Sequence, residues 1–262
     1  MGGGRPHPAA PGYRAELSWW RQAAGGGRPP AGLPFAGAGA KSVPAPDDGT
    51  IWWGLERPVS EALARTGAEA GATFYIARLA LLAARIALDT GRDDVVLGTY
   101  VTNRRRAELQ TMFGLFFNLT TLRLDFSGEP SFREWLNRVR STVAETSAHA
   151  QIPYELLWEE LASEGVAAPS LQGIFHVAEQ LPPLRFGGLT VAPLKPALQG
   201  PPTGFAFIVD HHYEAERCRI SFDPRTYDPV GVRAFISGYQ RLATAAATSP
   251  DSPLRSAARE PG

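Results

Sequence analysis

A chain of 262 residues can hold one large domain or two modest ones, and 44% hydrophobic against 20% charged residues supplies apolar material for a sizeable core. Its 26 lysines and arginines balance 26 aspartates and glutamates, so no net field favours nucleic acid or an anionic membrane. The one cysteine, Cys218, excludes an internal disulfide and fits a reducing compartment, so the expected location is cytoplasmic. The N-terminal "MGGGRPHPAAPGYRAEL" lacks an apolar core of signal-peptide length, and Pro6 stands where a myristoylation signal needs Ser or Thr. Residues 1–50 are rich in Gly, Pro and Ala, which predicts a segment that buries little and is extended or partly disordered. "LSWW" is the exception, with Trp19 and Trp20 anchoring a short helix.

Past Pro58 the elements become regular. "VSEALARTGAEAG" reads as a helix, and Thr73 caps the most apolar stretch, "TFYIARLALLAARIALDTG", which Gly91 ends. Arg78 and Arg85 lie seven apart on one face of it, predicting a buried helix with one wet edge rather than a membrane span. "DVVLGTYV" (94–101) is a β-branched strand, "RRAELQTMFG" a short helical turn, and 115–126 a longer strand. Ser131 and Glu134 form a capping box opening a helix from 131 to about 150, and a further helix begins at Pro153. "LQGIFHVAEQ", "GGLTVAPL", "GFAFIVDHHYE" and "ERCRISFD" are strands, followed by an amphipathic helix, "PVGVRAFISGYQRLATAAATS". Helices interleaved with strands, the late ones hairpin-connected, predict an α/β fold with a mixed sheet flanked by helices.

"GRDDVVLGTYVTNR", "FGLFFNLTTLR", "PSFREWL", "HAQIPYELL" and "PSLQGIFHV" follow one another in a fixed order, and together they resemble the C-terminal lobe of a nonribosomal peptide synthetase condensation domain. "GRDDVVLGTYVTNR" is similar to that family's tGqdDvvvGtpvanR, and "FGLFFNLTTLR" to its IGxFVNTxxxR strand, keeping Gly114, Phe116, Asn118 and Arg123. "PSFREWL" follows as the family's helix start, and "HAQIPYELL" resembles HQDxPFexL, keeping His149, Pro153 and Glu155. "PSLQGIFHV" resembles the nPLfQvmF strand, and "WWRQAAGGGRPPAGLPF" the linker between the family's two lobes. The resemblance runs from about residue 17 to 256. It implies a single lobe of the two-lobed chloramphenicol-acetyltransferase-like fold: a Gly/Pro-rich segment and lobe linker over 1–50, the lobe itself over 51–256, and a tail over 257–262.

The family's catalytic HHxxxDG belongs to the N-terminal lobe, for which there is no room ahead of residue 17. "HHYEAER" (211–217) imitates it, but Glu216 replaces the Asp and Arg217 the Gly, whose tight loop Arg cannot copy. On a strand His211 and His212 also point to opposite faces, so neither serves as the catalytic pair nor as a metal pair. A zinc site from either of them with Cys218 and His176 lacks paired close ligands, and no metal is expected. By resemblance Asn118, Arg123, Arg104, Gly98 and Thr99 face the channel between lobes, although a strand amide such as Asn118 can equally bond a neighbouring loop. Arg104, Arg105 and Arg106 fall in a loop that in the family floors the tunnel for a carrier protein's phosphopantetheine arm; only Arg104 matches the family's Arg. His149, Pro153 and Glu155 are a structural motif, His149 fixing a helix end and the turn into Pro153.

Two functions follow as expectations. One is a condensation-like half-domain without its own base, binding no cofactor itself, serving as a scaffold or a lobe completed by a partner. The other is an amide-forming acyltransferase whose base has moved to His149, His176, His211 or His212, which requires an orienting carboxylate beside that histidine. The expected partners are a peptide-synthetase component (carrier protein or N-terminal condensation lobe) or a second copy, meeting the face of Asn118 and residues 179–204.

Overall fold

The computed structural model describes residues 12–24, 29–36, 49–102, 104, 107–114, 116–179, 187, 204–211 and 216–257. In chain order these form α1 (Tyr13–Ala24), β1 (Thr50–Gly54), α2 (Arg57–Glu69), α3 (Phe74–Thr90), β2 (Asp94–Thr102), α4 (Ala107–Gln110) and β3 (Phe117–Asp125). Then come α5 (Phe132–Ala148), α6 (Tyr154–Ser163), β4 (Ile174–Glu179), β5 (Phe205–His211), β6 (Glu216–Phe222), α7 (Pro229–Thr248) and α8 (Leu254–Ala257). Six strands make one sheet in the order β1-β6-β5-β4-β2-β3. β4 runs parallel to β2 and β5, while the β1–β6, β5–β6 and β2–β3 pairs are antiparallel. The mixed α/β sheet read from the sequence is therefore present.

Local chemistry sets the helix ends as expected. Thr73 accepts the Ile76 N–H at 3.3 Å and Gly91 adopts φ 63°, a left-handed end that glycine reaches without strain. Ser131 and Glu134 cap α5 reciprocally. Asp228 accepts the Val230 N–H at 3.1 Å, with Pro229 in the first turn of α7. The predicted strand at 187–194 lies outside the described residues apart from Gly187, which is in a turn.

The main core is α3 against the sheet, α2, α5 and α7. Ala77, Ala80, Ala83, Ala84 and Ala87 are all buried, which lets neighbouring backbones come close. Trp135 of α5 is fully buried, stands edge-on to Phe126 and donates its indole N–H to the Ala80 carbonyl at 2.8 Å.

Two expectations fail here. The wet edge of α3 is largely covered: Arg78 is fully buried, giving its guanidinium to Ser60 Oγ at 2.8 Å and lying 4.6 Å over the Phe74 ring, while Arg85 and Asp89 keep partial exposure. Arg85 is held by Asp89 at 2.6 Å, and Gly238 of α7 leaves the space its guanidinium occupies, since a Cβ there would fall 2.1 Å from Arg85 Cζ. Cations at seven-residue spacing marked a polar stripe that packs mostly against neighbouring helices. The first fifty residues also bury more than their composition suggested. α1 is longer than the "LSWW" turn, and Tyr13, Leu17 and Trp20 form a second core with Ile152, Leu157, Trp158 and Leu161. Leu33 and Phe35 enter the main core, where Gly231 clears a path for the Phe35 side chain.

Candidate functional site

The turn from α5 into α6, residues 149–154, is gripped from two sides. From α1, the buried Glu16 carboxylate accepts the N–H groups of Gln151 at 2.7 Å and Ile152 at 2.9 Å. Trp20 donates its indole N–H to the His149 carbonyl at 2.6 Å, and Trp19 stacks on the His149 ring at 4.4 Å. From the start of β3, Asn118 Nδ2 donates to the carbonyls of Ala150 at 3.2 Å and Ile152 at 2.8 Å, while its Oδ1 accepts the Tyr154 N–H at 3.0 Å. The Asn118 side chain is thus occupied by backbone of this turn. His149 ends α5, Pro153 leads into α6, and Glu155 is exposed in the first turn of α6, where the helix dipole favours a carboxylate. Sequence reading missed Glu16. Its signal was an acid on the same helical stripe as Tyr13, Leu17 and Trp20.

At the far end of β2 the expected channel residues take distinct roles. Gly98 donates its N–H to the Gly173 carbonyl at 2.9 Å, and a Cβ there would meet Leu171 Cδ1 at 2.9 Å, so the absent side chain admits the approach to β4. Thr99 Oγ1 donates to the Phe175 carbonyl at 3.0 Å and lies 2.7 Å from the Tyr75 hydroxyl. Arg104 gathers its own loop: its guanidinium donates to the carbonyls of Leu109, Met112 (2.8 Å) and Gly114 (3.3 Å) and lies 4.1 Å over the Phe116 ring. Around that loop Met112, Phe113, Phe117 and Tyr100 are exposed, Phe113 fully. Replacing Arg104 by Ala removes the group that gathers three carbonyls, so hydrogen–deuterium exchange over 107–114 should speed up severalfold while α3 and the sheet keep their protection; unchanged exchange there would contradict this role. Arg105, Arg106, His212 and most of 179–204 lie outside the described residues.

Arg123 makes a two-pronged ion pair with Asp94 on the neighbouring strand, Nε to Oδ1 at 2.9 Å. Its side chain also borders a cavity of about 240 Å³ beneath Trp19, Trp20 and Trp158. Trp52, Arg219, Ile208 and His176 are successive register partners across β1, β6, β5 and β4, and the Tyr100 ring stands edge-on to His176 at 5.8 Å. Arg219 Nε lies 3.5 Å from the Asp210 carboxylate. Burial, then the Arg219 charge, pushes the His176 imidazole below its ordinary 6.5, with Asp210 opposing. Among the described residues no carboxylate hydrogen-bonds His149 or His176, which leaves the relocated-base reading without an orienting group there. His211 ends β5 opposite Glu216 in register.

The His176 shift has a definite sign. Below pH 6.5 the unfolded chain takes a proton that the folded imidazole still refuses, so stability falls with pH until the lowered folded value is passed. Urea midpoints taken from pH 7.5 to 5 should therefore drop more steeply in the wild type than in His176→Gln; equal slopes would remove His176 as the cause.

Comparison with known proteins gives the family. The family model described as a condensation domain matches residues 9–258. The chain belongs to the condensation-domain family of the nonribosomal peptide synthetases. It is 30% identical over 183 residues to a linear gramicidin synthase protein of Brevibacillus parabrevis, covering 69% of this chain and 2% of that protein. It is 36% identical over 152 residues to phosphinothricin tripeptide synthetase PhsB of Streptomyces viridochromogenes, covering 58% of this chain and 13% of the relative. The solved condensation domain of the monacolin K polyketide synthase MokA superposes with a TM-score of 0.77 at 21% identity, covering 92% of this chain and 58% of that one. The first condensation domain of the calcium-dependent antibiotic synthetase, solved with a substrate analogue, gives 0.75 at 23% identity, covering 95% and 54%. This condensation-domain chain thus spans a small part of its curated relatives and a little over half of these solved neighbours. Among the described residues no single helix is long and apolar enough to cross a membrane.

Proposed function

We propose that this chain is one lobe of a condensation fold, without a catalytic base of its own, that acts by pairing with a complementary lobe or another peptide-synthetase component. The observation that carries this is its share of the solved condensation domains, 58% and 54% of the two compared chains, combined with a sequence whose only histidine pair is followed by Glu216 and Arg217. The exposed Met112, Phe113 and Phe117 support it, because a lone domain gains nothing by leaving such side chains in water. Amide-forming acyl transfer, with the acyl group brought on a carrier protein's phosphopantetheine arm, is then the activity of the completed assembly. Sedimentation of the chain alone and mixed with the carrier and condensation components of its own synthetase system tests this. A stable complex, with acyl transfer appearing only on mixing and surviving His211→Ala/His212→Ala, is the expected result. Transfer by the isolated chain, lost in a folded His176→Ala, His149→Ala or His211→Ala/His212→Ala variant, would replace it with the relocated-base reading.

A further inference from the structure

A cleft of about 370 Å³ opens where β2 runs out beside the first turn of α3 and the last turns of α5. Tyr75, Thr99, Tyr100, Thr102, Thr120 and Ser147 bring hydroxyls to its lining, and Val101, Leu122 and Val143 form its apolar wall. Among the described residues no Asp, Glu, Lys, Arg or His borders it. A cavity of roughly 150 Å³ already holds benzene, so this one has room for an organic molecule of about eight to ten heavy atoms.

The direction of its hydrogen bonds is fixed by counting protons. Thr99 has one hydroxyl proton, and that proton goes to the Phe175 carbonyl, an atom that only accepts. At the 2.7 Å contact between Tyr75 and Thr99 the phenol must therefore be the donor. Its single proton is spent, and the Tyr75 oxygen is left with lone pairs only. Burial pushes the phenol up to about 12, so it remains un-ionised at any physiological pH. The Tyr75 ring is itself seated against Phe175, with centroids 5.2 Å apart, which holds the oxygen in place. Thr120, opposite Thr99 in register, adds a buried hydroxyl that has no hydrogen-bond partner among the described residues.

We propose that this cleft binds a small neutral molecule that offers a hydrogen-bond donor, an amide N–H or a hydroxyl, to the Tyr75 oxygen and lays a short apolar stem on Val101, Leu122 and Val143. Among the described residues a cation meets no carboxylate there and an anion no positive charge, whereas a neutral donor meets an acceptor with no other donor bonded to it. The site rests on the cleft alone and stands or falls independently of the partner reading above.

Binding is measured by ¹H–¹⁵N chemical-shift titration of the full chain with hexanamide against N,N-dimethylhexanamide, and with 1-hexanol against its methyl ether. Each pair keeps the stem and an acceptor and differs in the donor. The donor-bearing member should bind about two- to tenfold more tightly, the range of one net hydrogen bond, with shifts centred on Tyr75, Thr99 and Val143. Whichever pair shows the larger ratio identifies amide or hydroxyl. Tyr75→Phe keeps the ring packing and should bring both ratios to one; Thr99→Val, which returns the phenol's proton to the cleft, should shrink them. Ratios of one in the wild type, ratios unchanged in Tyr75→Phe (a steric effect of the added methyls), or no shifts at the cleft with any probe would each overturn the proposal.

Discussion

Replacing Asn118 by Ala should destabilise the protein by about 3 kcal/mol, because two carbonyls and one N–H of the 150–154 backbone lose their partner at once. For a chain of this size that is a fall of roughly 6–12 °C in Tm. Glu16→Ala attacks the same turn from α1 and should cost a similar amount, since a buried carboxylate is taken from the N–H groups of Gln151 and Ile152. Ile152 is held by both side chains, its N–H by Glu16 and its carbonyl by Asn118. Once either grip is gone the turn relaxes, so the double variant should lose clearly less than the sum of the two. Calorimetry on the four proteins of this cycle decides: additivity within about 0.5 kcal/mol would mean two independent anchors rather than one clamp. A Glu16→Gln variant separates charge from shape, retaining an acceptor of nearly the same size.

The other large effect lies in the main core. Trp135→Ala removes a fully buried indole from between α3 and α5 and should cost about 3–5 kcal/mol, with the spread set by how far the neighbouring Phe126 can collapse into the space. Trp135→Phe keeps most of the volume and mainly takes the indole N–H away from the Ala80 carbonyl, so it should cost about 1 kcal/mol plus a smaller cavity loss. Denaturant midpoints of the two variants should differ severalfold in ΔΔG. If they coincide, the hydrogen bond rather than the filling of space is what holds this contact.

What was legible in advance follows the range of the interactions involved. Thr73, Gly91, Ser131 and Glu134 act on backbone within four residues, so their roles are written in adjacent letters, and the two long helices and the mixed sheet came out as read. The family resemblance singled out Asn118, Arg104 and Gly98 as facing a channel. What each one touches is a different kind of fact. Asn118 meets a turn more than thirty residues on, Arg104 closes on a loop whose path depends on Met112 and Gly114, and Arg78 finds Ser60 on another helix. Glu16 and its two N–H partners are 135 and 136 residues apart, beyond the reach of any periodicity. Arg78 and Arg85 were misjudged for the same reason, because amphipathic spacing shows that a face is polar and not which neighbour will cover it.

The sheet order carries a consequence for the newborn chain. β2 and β3 are neighbours in sequence and can zip as soon as both have emerged, but β1 pairs only with β6, Thr50 and Ser221 being 171 residues apart. At ordinary rates of synthesis β1 waits roughly 10–30 s for that partner, and α1 waits nearly as long for the turn at 149–154. During that interval Trp19, Trp20, Trp52 and Trp53 have none of their final neighbours from β6, α6 or α7. The glycines and prolines scattered through 25–48 separate these two tryptophan pairs with sequence poorly suited to a strand, so the stretch that waits longest for its partners is also one poorly able to stack with another copy meanwhile.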